Sequence, residues 1–139
     1  MPMAVKEAPL PTDAELAILN VLWELGPSTV RQVAERLAAE RTVGYTTVLK
    51  MLQLMHQKGL VRRDEAQRNH VYAAVAPREH TQERLVQDLM GRAFGGSAAR
   101  LMMRALGTTR ASRAERESIA RLLERLDAED EEEGDDLDA

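Results

Sequence analysis

Cysteine is absent from the 139 residues, which excludes a disulfide framework, a thiolate metal site and a cysteine nucleophile. Aromatic residues are nearly absent too, with Trp23, Tyr45, Tyr72 and Phe94 the whole set. Leu, Ala, Val and Met supply most of the apolar content, so closely packed helices are expected over a large sheet. No apolar run approaches the roughly 20 residues needed to span a bilayer, and the opening MPMAVKEAPLP lacks the apolar core of a secretory signal. The expectation is a soluble, cytoplasmic chain with no membrane insertion. No Gly-rich phosphate loop, nucleophile elbow or HExxH stretch occurs, so neither an enzyme nor a cofactor is expected. His56, His70 and His80 lie at spacings that match no helical ligand pair, so no metal site is expected. Nor does any cluster of aromatic and polar residues point to a ligand cavity.

The charge balance misleads until it is located. The total is −4, yet the final EDEEEGDDLDA holds eight carboxylates and no base. Residues 1 to 128 therefore carry fifteen acids against nineteen bases, a net of +4. Between residues 28 and 78 nine bases face four acids, a local +5. The body is basic, and the acidic end is of the kind that stays disordered.

Along the chain, residues 1–11 hold three of the five prolines and read as a flexible lead-in. Thr12-x-x-Glu15 is a capping box that opens a helix. Leu16, Leu19, Leu22 and Trp23 line its inner face, Ile18 and Leu25 widen it, and Gly26-Pro27 ends it. Ser28 is placed to cap a second helix with Val30, Val33, Ala34 and Leu37 inward. A third helix follows in GYTTVLKMLQLMHQKG, with Val48, Leu49, Leu52 and Met55 on one side together with Tyr45, and Thr46, Lys50, Gln53 and Gln57 opposite. Thr47 and Leu54 also project outward, and Leu54 is the one apolar residue there. LVRR and NHVYAAV read as two strands of a hairpin, with Val71, Ala73 and Val75 on one face and His70, Tyr72 and Ala74 on the other.

After Pro77 the pattern is helical again. Leu85, Leu89 and Phe94 belong to a stripe that stops at Gly95-Gly96, and Leu101 and Met102 belong to the next. Ser112-x-x-Glu115 caps a helix carrying Ile119, Leu122, Leu123 and Leu126. These nine apolar residues are the candidate dimerisation set, because so short a helical segment buries such stripes poorly by itself. The fold class expected is mainly α with a small β-hairpin: a lead-in (1–11), a winged helix-turn-helix domain (12–76), a helical dimerisation domain (77–127) and a disordered acidic tail (128–139).

Three helices followed by a hairpin is the order of a winged helix, whose last helix enters the DNA major groove. Thr46 and Thr47 hydroxyls suit base edges or phosphates, Lys50 suits guanine O6 or N7, and Gln53 suits adenine. Arg62, Arg63 and Arg68 in the hairpin suit phosphates, which set register without reading sequence. With Tyr45 at the head of the helix, these eight residues form the candidate DNA-binding set. The alternative from another class is a winged-helix adaptor that binds protein and no specific DNA sequence.

LPTDAELAILNVLWELGPSTVRQVAERL, then GYTTVLKMLQLMHQKGLVRR, then a wing ending VYAAV, resembles the penicillinase-repressor family, the BlaI/MecI/CopY group of bacterial transcriptional repressors. The resemblance covers residues 10 to about 126. It implies a homodimer on a palindromic double-stranded operator, Thr46, Thr47 and Lys50 in the major groove, and Arg62 and Arg68 in the wing. Many members carry Arg where Leu54 stands here, and an apolar contact to a thymine methyl is the replacement open to this chain. Without cysteine, the chain lacks the metal motif of the copper-responsive members. In members governed by β-lactam signals a regulatory protease cuts the dimerisation helices, commonly at Asn-Phe. The corresponding positions here are Arg104-Ala105, beside a Gly107-Thr108-Thr109 segment expected to be flexible.

Overall fold

The computed structural model describes residues 7–66 and 68–137. The elements in chain order are α1 (Asp13–Leu25), β1 (Ser28–Thr29), α2 (Val30–Ala38), α3 (Tyr45–Lys58), β2 (Val61–Asp64), β3 (Val71–Ala74), α4 (Arg78–Ala93), α5 (Ala98–Thr108) and α6 (Arg113–Leu137). Both halves of the first capping box form, the Glu15 amide donating to Thr12 Oγ1 at 3.2 Å and the Thr12 amide to Glu15 Oε1 at 2.9 Å. Gly26 leaves α1 at φ 80°, a backbone region that favours glycine.

The second cap falls one residue later than expected. Thr29, not Ser28, closes a capping box with Gln32, and Ser28 instead pairs with Tyr72 as β1. The wing is thus a three-stranded antiparallel sheet of order β1-β3-β2. A two-residue strand is too short to leave an alternation in the sequence, which is why the pattern missed it.

The core side of the hairpin is the face of Tyr72, not the apolar row of Val71, Ala73 and Val75. Register pairs Val61 with Ala74 and Arg63 with Tyr72, and directly opposed residues share a face. Val61 and Tyr72 are both 1% exposed, whereas Val75 is 51% exposed. The larger tyrosine ring takes the core side, and shifting a strand's choice by one residue inverts every side chain on it.

One core holds α1, α2, α3 and the sheet together. Ile18, Leu19, Val21 and Leu22 come from α1, Val33 and Leu37 from α2, and Leu60, Val61 and Tyr72 from the sheet region. Ile18 is buried as expected, Val21 joins the core unforeseen, and of the other expected residues Leu16 is half-buried and Leu25 exposed. Val48, Leu52 and Met55 of α3 have no exposure, and full burial of each such side chain stabilises by about 1.5–3 kcal/mol. Trp23 is half-buried, its Nε1 donating to the Ala76 carbonyl at 3.0 Å.

The boundary between units lies later than Pro77. The chain divides after Leu89, inside α4, because the first turns of α4 are tied to the winged-helix unit. Thr81 is buried, Arg84 donates to the Ala8 carbonyl at 2.7 Å and pairs with Glu7 at 3.2 Å, and His80 Nε2 lies 2.9 Å from Glu7 Oε1. The lead-in from Glu7 onward is accordingly part of the packed unit.

The second unit comprises the end of α4, then α5 and α6. Gly95 and Gly96, both at positive φ, end α4; Ser97 and the Ser112–Glu115 box cap the next two helices. α6 continues to Leu137, through residues expected to be disordered. Carboxylates at a helix C-terminus oppose its dipole, but the Glu-rich run follows an existing helix without proline, and extending a helix is far cheaper than nucleating one. Gly107 and Thr108 are helical too, the Thr108 hydroxyl donating to the Arg104 carbonyl at 2.8 Å.

The end of α3 is fixed by a buried carboxylate. Glu15 is 4% exposed, and Lys58 Nζ lies 2.8 Å from its Oε2. Burial pushes the Glu15 carboxyl up, but hydrogen bonds from Lys58 and the Thr12 amide outweigh it and hold its pKa below the ordinary value. The unfolded chain therefore takes up this proton at higher pH than the folded chain. The contribution is whole above the ordinary carboxylate value and is lost as pH falls through the depressed one. Lys58→Met, which strands the buried carboxylate, is expected to lower stability at pH 7 by about 1–3 kcal/mol in urea unfolding. Glu15→Gln is expected to flatten the loss of stability on the acid side.

Candidate nucleic-acid interface

The core decides what α3 shows. With Val48, Leu52 and Met55 inward, Thr46, Thr47, Lys50, Gln53, Leu54 and Gln57 are all exposed. Tyr45, at the first helical position, is 54% exposed and so stands outside the apolar face with which its spacing grouped it. Leu49 is half-buried against the core. Gly44 precedes the helix with no side-chain cap, and Gly59 ends it in the left-handed region at φ 84°.

The three hairpin arginines do not sit alike. Arg62 and Arg63 are successive in β2 and point to opposite faces. Arg62 is exposed. Arg63 lies on the inner face beside its cross-strand partner Tyr72, and its Nε donates to Glu65 Oε1 at 2.7 Å. Hydrogen bonds to Tyr72 and Glu65 raise the Arg63 pKa above its ordinary value. Arg68, in the turn, is exposed.

Tyr45, Leu49 and Gln53 form one flank of α3 and, with Arg63, Arg68 and Tyr72, wall an open groove between α3, α2 and the sheet. The candidate set thus splits into an outer face (Thr46, Thr47, Lys50) and a groove flank (Tyr45, Gln53, Arg63, Arg68), with Arg62 on the other side of the wing. Arg31, Asn69 and His70 line the same groove and were missed. Arg31 reads as an ordinary solvated helix residue, and it pairs with Glu35 at 3.7 Å. Only the approach of α2 to the hairpin brings it here.

Among the described residues, no cluster of His, Asp or Glu is placed to hold a metal ion, and no helix is long and apolar enough to cross a membrane. The model of the penicillinase repressor family matches residues 11–125. The chain belongs to that family. The transcriptional regulator BlaI of Mycobacterium tuberculosis, in two strains, is 43% identical over 79 residues, which cover 56% of this chain and 54% of the relative. The chain thus spans about half the length of the curated relatives it matches. A solution structure of monomeric Bacillus licheniformis BlaI with the blaP half-operator is similar at a TM-score of 0.47 and 25% identity, over 54% of this chain and 92% of that one. The penicillinase repressors are transcriptional regulators and not enzymes.

Arg63 is held inside the wing of this family member, whereas Arg62 is not. Arg63→Ala is therefore expected to lower the melting temperature, followed by circular dichroism, while Arg62→Ala leaves it unchanged. Equal effects would contradict the opposed facing of the two side chains.

Proposed function

We propose that this penicillinase-repressor family member is a cytoplasmic, dimeric transcriptional repressor that binds a palindromic operator through α3 and the wing. The observation that carries this reading is the outer face of α3, where Thr46, Thr47 and Lys50 stand exposed to solvent, with Gln53 exposed at the groove flank. Thr46, Thr47 and Lys50 meet base edges in the major groove, and Gln53 with Tyr45 covers its margin. Arg62 and Arg68 meet phosphates, and Arg63 acts mainly by shaping the wing. Leu54, 48% exposed, contacts a thymine methyl. Selection from random duplexes is expected to return a two-fold symmetric site. Lys50→Ala relaxes one base position per half-site at a cost of about 1–3 kcal/mol. No enrichment at low salt would favour the protein-adaptor reading.

The homodimer has its own support. From Gln82 to Gly134 no described residue is buried, although Leu89, Met102, Leu122, Leu123 and Leu126 are large apolar side chains between 39% and 57% exposed. Leu85, Phe94, Leu101 and Ile119 are half-buried beside them. A second copy covers these stripes, and an isologous dimer places two α3 helices on two half-sites. Joining the half-sites raises operator affinity by roughly 10²–10⁴-fold.

Release follows from cutting between the dimerisation helices. Arg104-Ala105 lies inside α5, so the bond open to a protease is in the Thr109–Ser112 connection, outside helix. Limited trypsin treatment is expected to cut after Arg110 before Arg104. The fragment ending there should be monomeric by light scattering and weak on operator DNA. A dimeric, tight-binding fragment would overturn this account of release.

A further inference from the structure

We infer that the cavity walled by α1, the end of α3, the end of β3 and the first turns of α4 is a binding site for a small apolar monocarboxylic acid. The cavity has a volume of about 510 Å³, within the range of small-molecule sites. Leu19, Trp23, Leu60 and Val75 make its apolar wall, and Val75 is 51% exposed despite its size. His80 and Arg84 stand together in the same wall. These residues come from four separate parts of the chain, which is why the sequence shows no aromatic and polar cluster.

The chain itself supplies the stand-in for the acid. Glu7 places one carboxylate oxygen 2.9 Å from His80 Nε2 and the other 3.2 Å from Arg84 Nε. The Glu7 and His80 side chains are 55% and 46% exposed, and ion pairs so open to water contribute little to stability. A ligand carboxylate that displaces Glu7 remakes the same bonds, so the exchange is close to neutral in charge and in hydrogen bonding. The gain comes from the apolar body, which removes Val75 and the half-buried Trp23 ring from water. Lys58, across the cavity, is committed to Glu15 at 2.8 Å. Among the lining residues this leaves the His80–Arg84 pair as the single seat for an anion, which selects a monocarboxylate.

Trp23 is the sole tryptophan, so its fluorescence in the full-length chain reports occupancy directly. Titration with octanoate is expected to give a saturable change, with octan-1-ol binding roughly tenfold more weakly for want of the carboxylate. Glu7→Gln, which removes the competing negative charge from the seat, is expected to tighten octanoate severalfold. Arg84→Met should reduce octanoate to the level of octan-1-ol; if that variant loses its helical signal, the Glu7→Gln result decides. Absence of saturation up to millimolar octanoate, equal affinities for acid and alcohol, or no tightening in Glu7→Gln overturns the assignment. None of these outcomes depends on whether the chain binds DNA.

Discussion

The arrangement of this molecule rests on the complete burial of Val48, Leu52 and Met55. These residues recur every three or four positions, so once they are withdrawn from water the rotation of α3 about its axis has one value. Thr46, Lys50, Gln53 and Gln57 then have nowhere to point but outward. Rotation is one degree of freedom; position along the axis is another, and the Lys58–Glu15 pair holds the far end of the helix against the start of α1. Apolar burial supplies the stabilisation, and the buried polar pair supplies the register.

What could be read in advance divides by the range of the interaction concerned. The Thr12 and Ser112 caps, the inner face of α3 and the glycine at its end depend on residues within about one or two turns, so the sequence carries them whole. The facing of β3 depends on what lies across the sheet. Val71, Ala73 and Val75 are a plausible apolar row, and the outcome turns on Tyr72 fitting among Ser28, Val61 and the helices. The division of the chain inside α4, later than Pro77, has the same origin. Pro77 is a strong local break, but Arg84 reaches back to Ala8, a contact that no local pattern records. For the candidate interface, the outer face of α3 was legible, whereas the different surroundings of Arg62 and Arg63 appeared only with the strand register.

The two units contrast in kind. The winged-helix unit closes its core internally, from Ile18 to Tyr72. The second unit has regular, well-capped helices and no buried residue among those described beyond Thr81. Secondary structure there is locally encoded, while its apolar stripes stay largely exposed among the described residues.

Carboxylates distributed over the winged-helix unit stand beside several of its basic residues and offset their charge locally. Arg36 is held by Glu24 and Glu40 at 3.1 and 3.0 Å, Arg31 by Glu35, Lys58 by Glu15 and Arg63 by Glu65. Arg41, Lys50, Arg62 and Arg68 pair with no carboxylate among the described residues. With Arg78, these form a spatially chosen subset, five of the nine basic residues between positions 28 and 78, that no carboxylate holds among the described residues. Exchange of a single internal glutamate would enlarge that subset without adding any base, so the acidic residues of this unit are as much a setting of its attraction for polyanions as the basic ones.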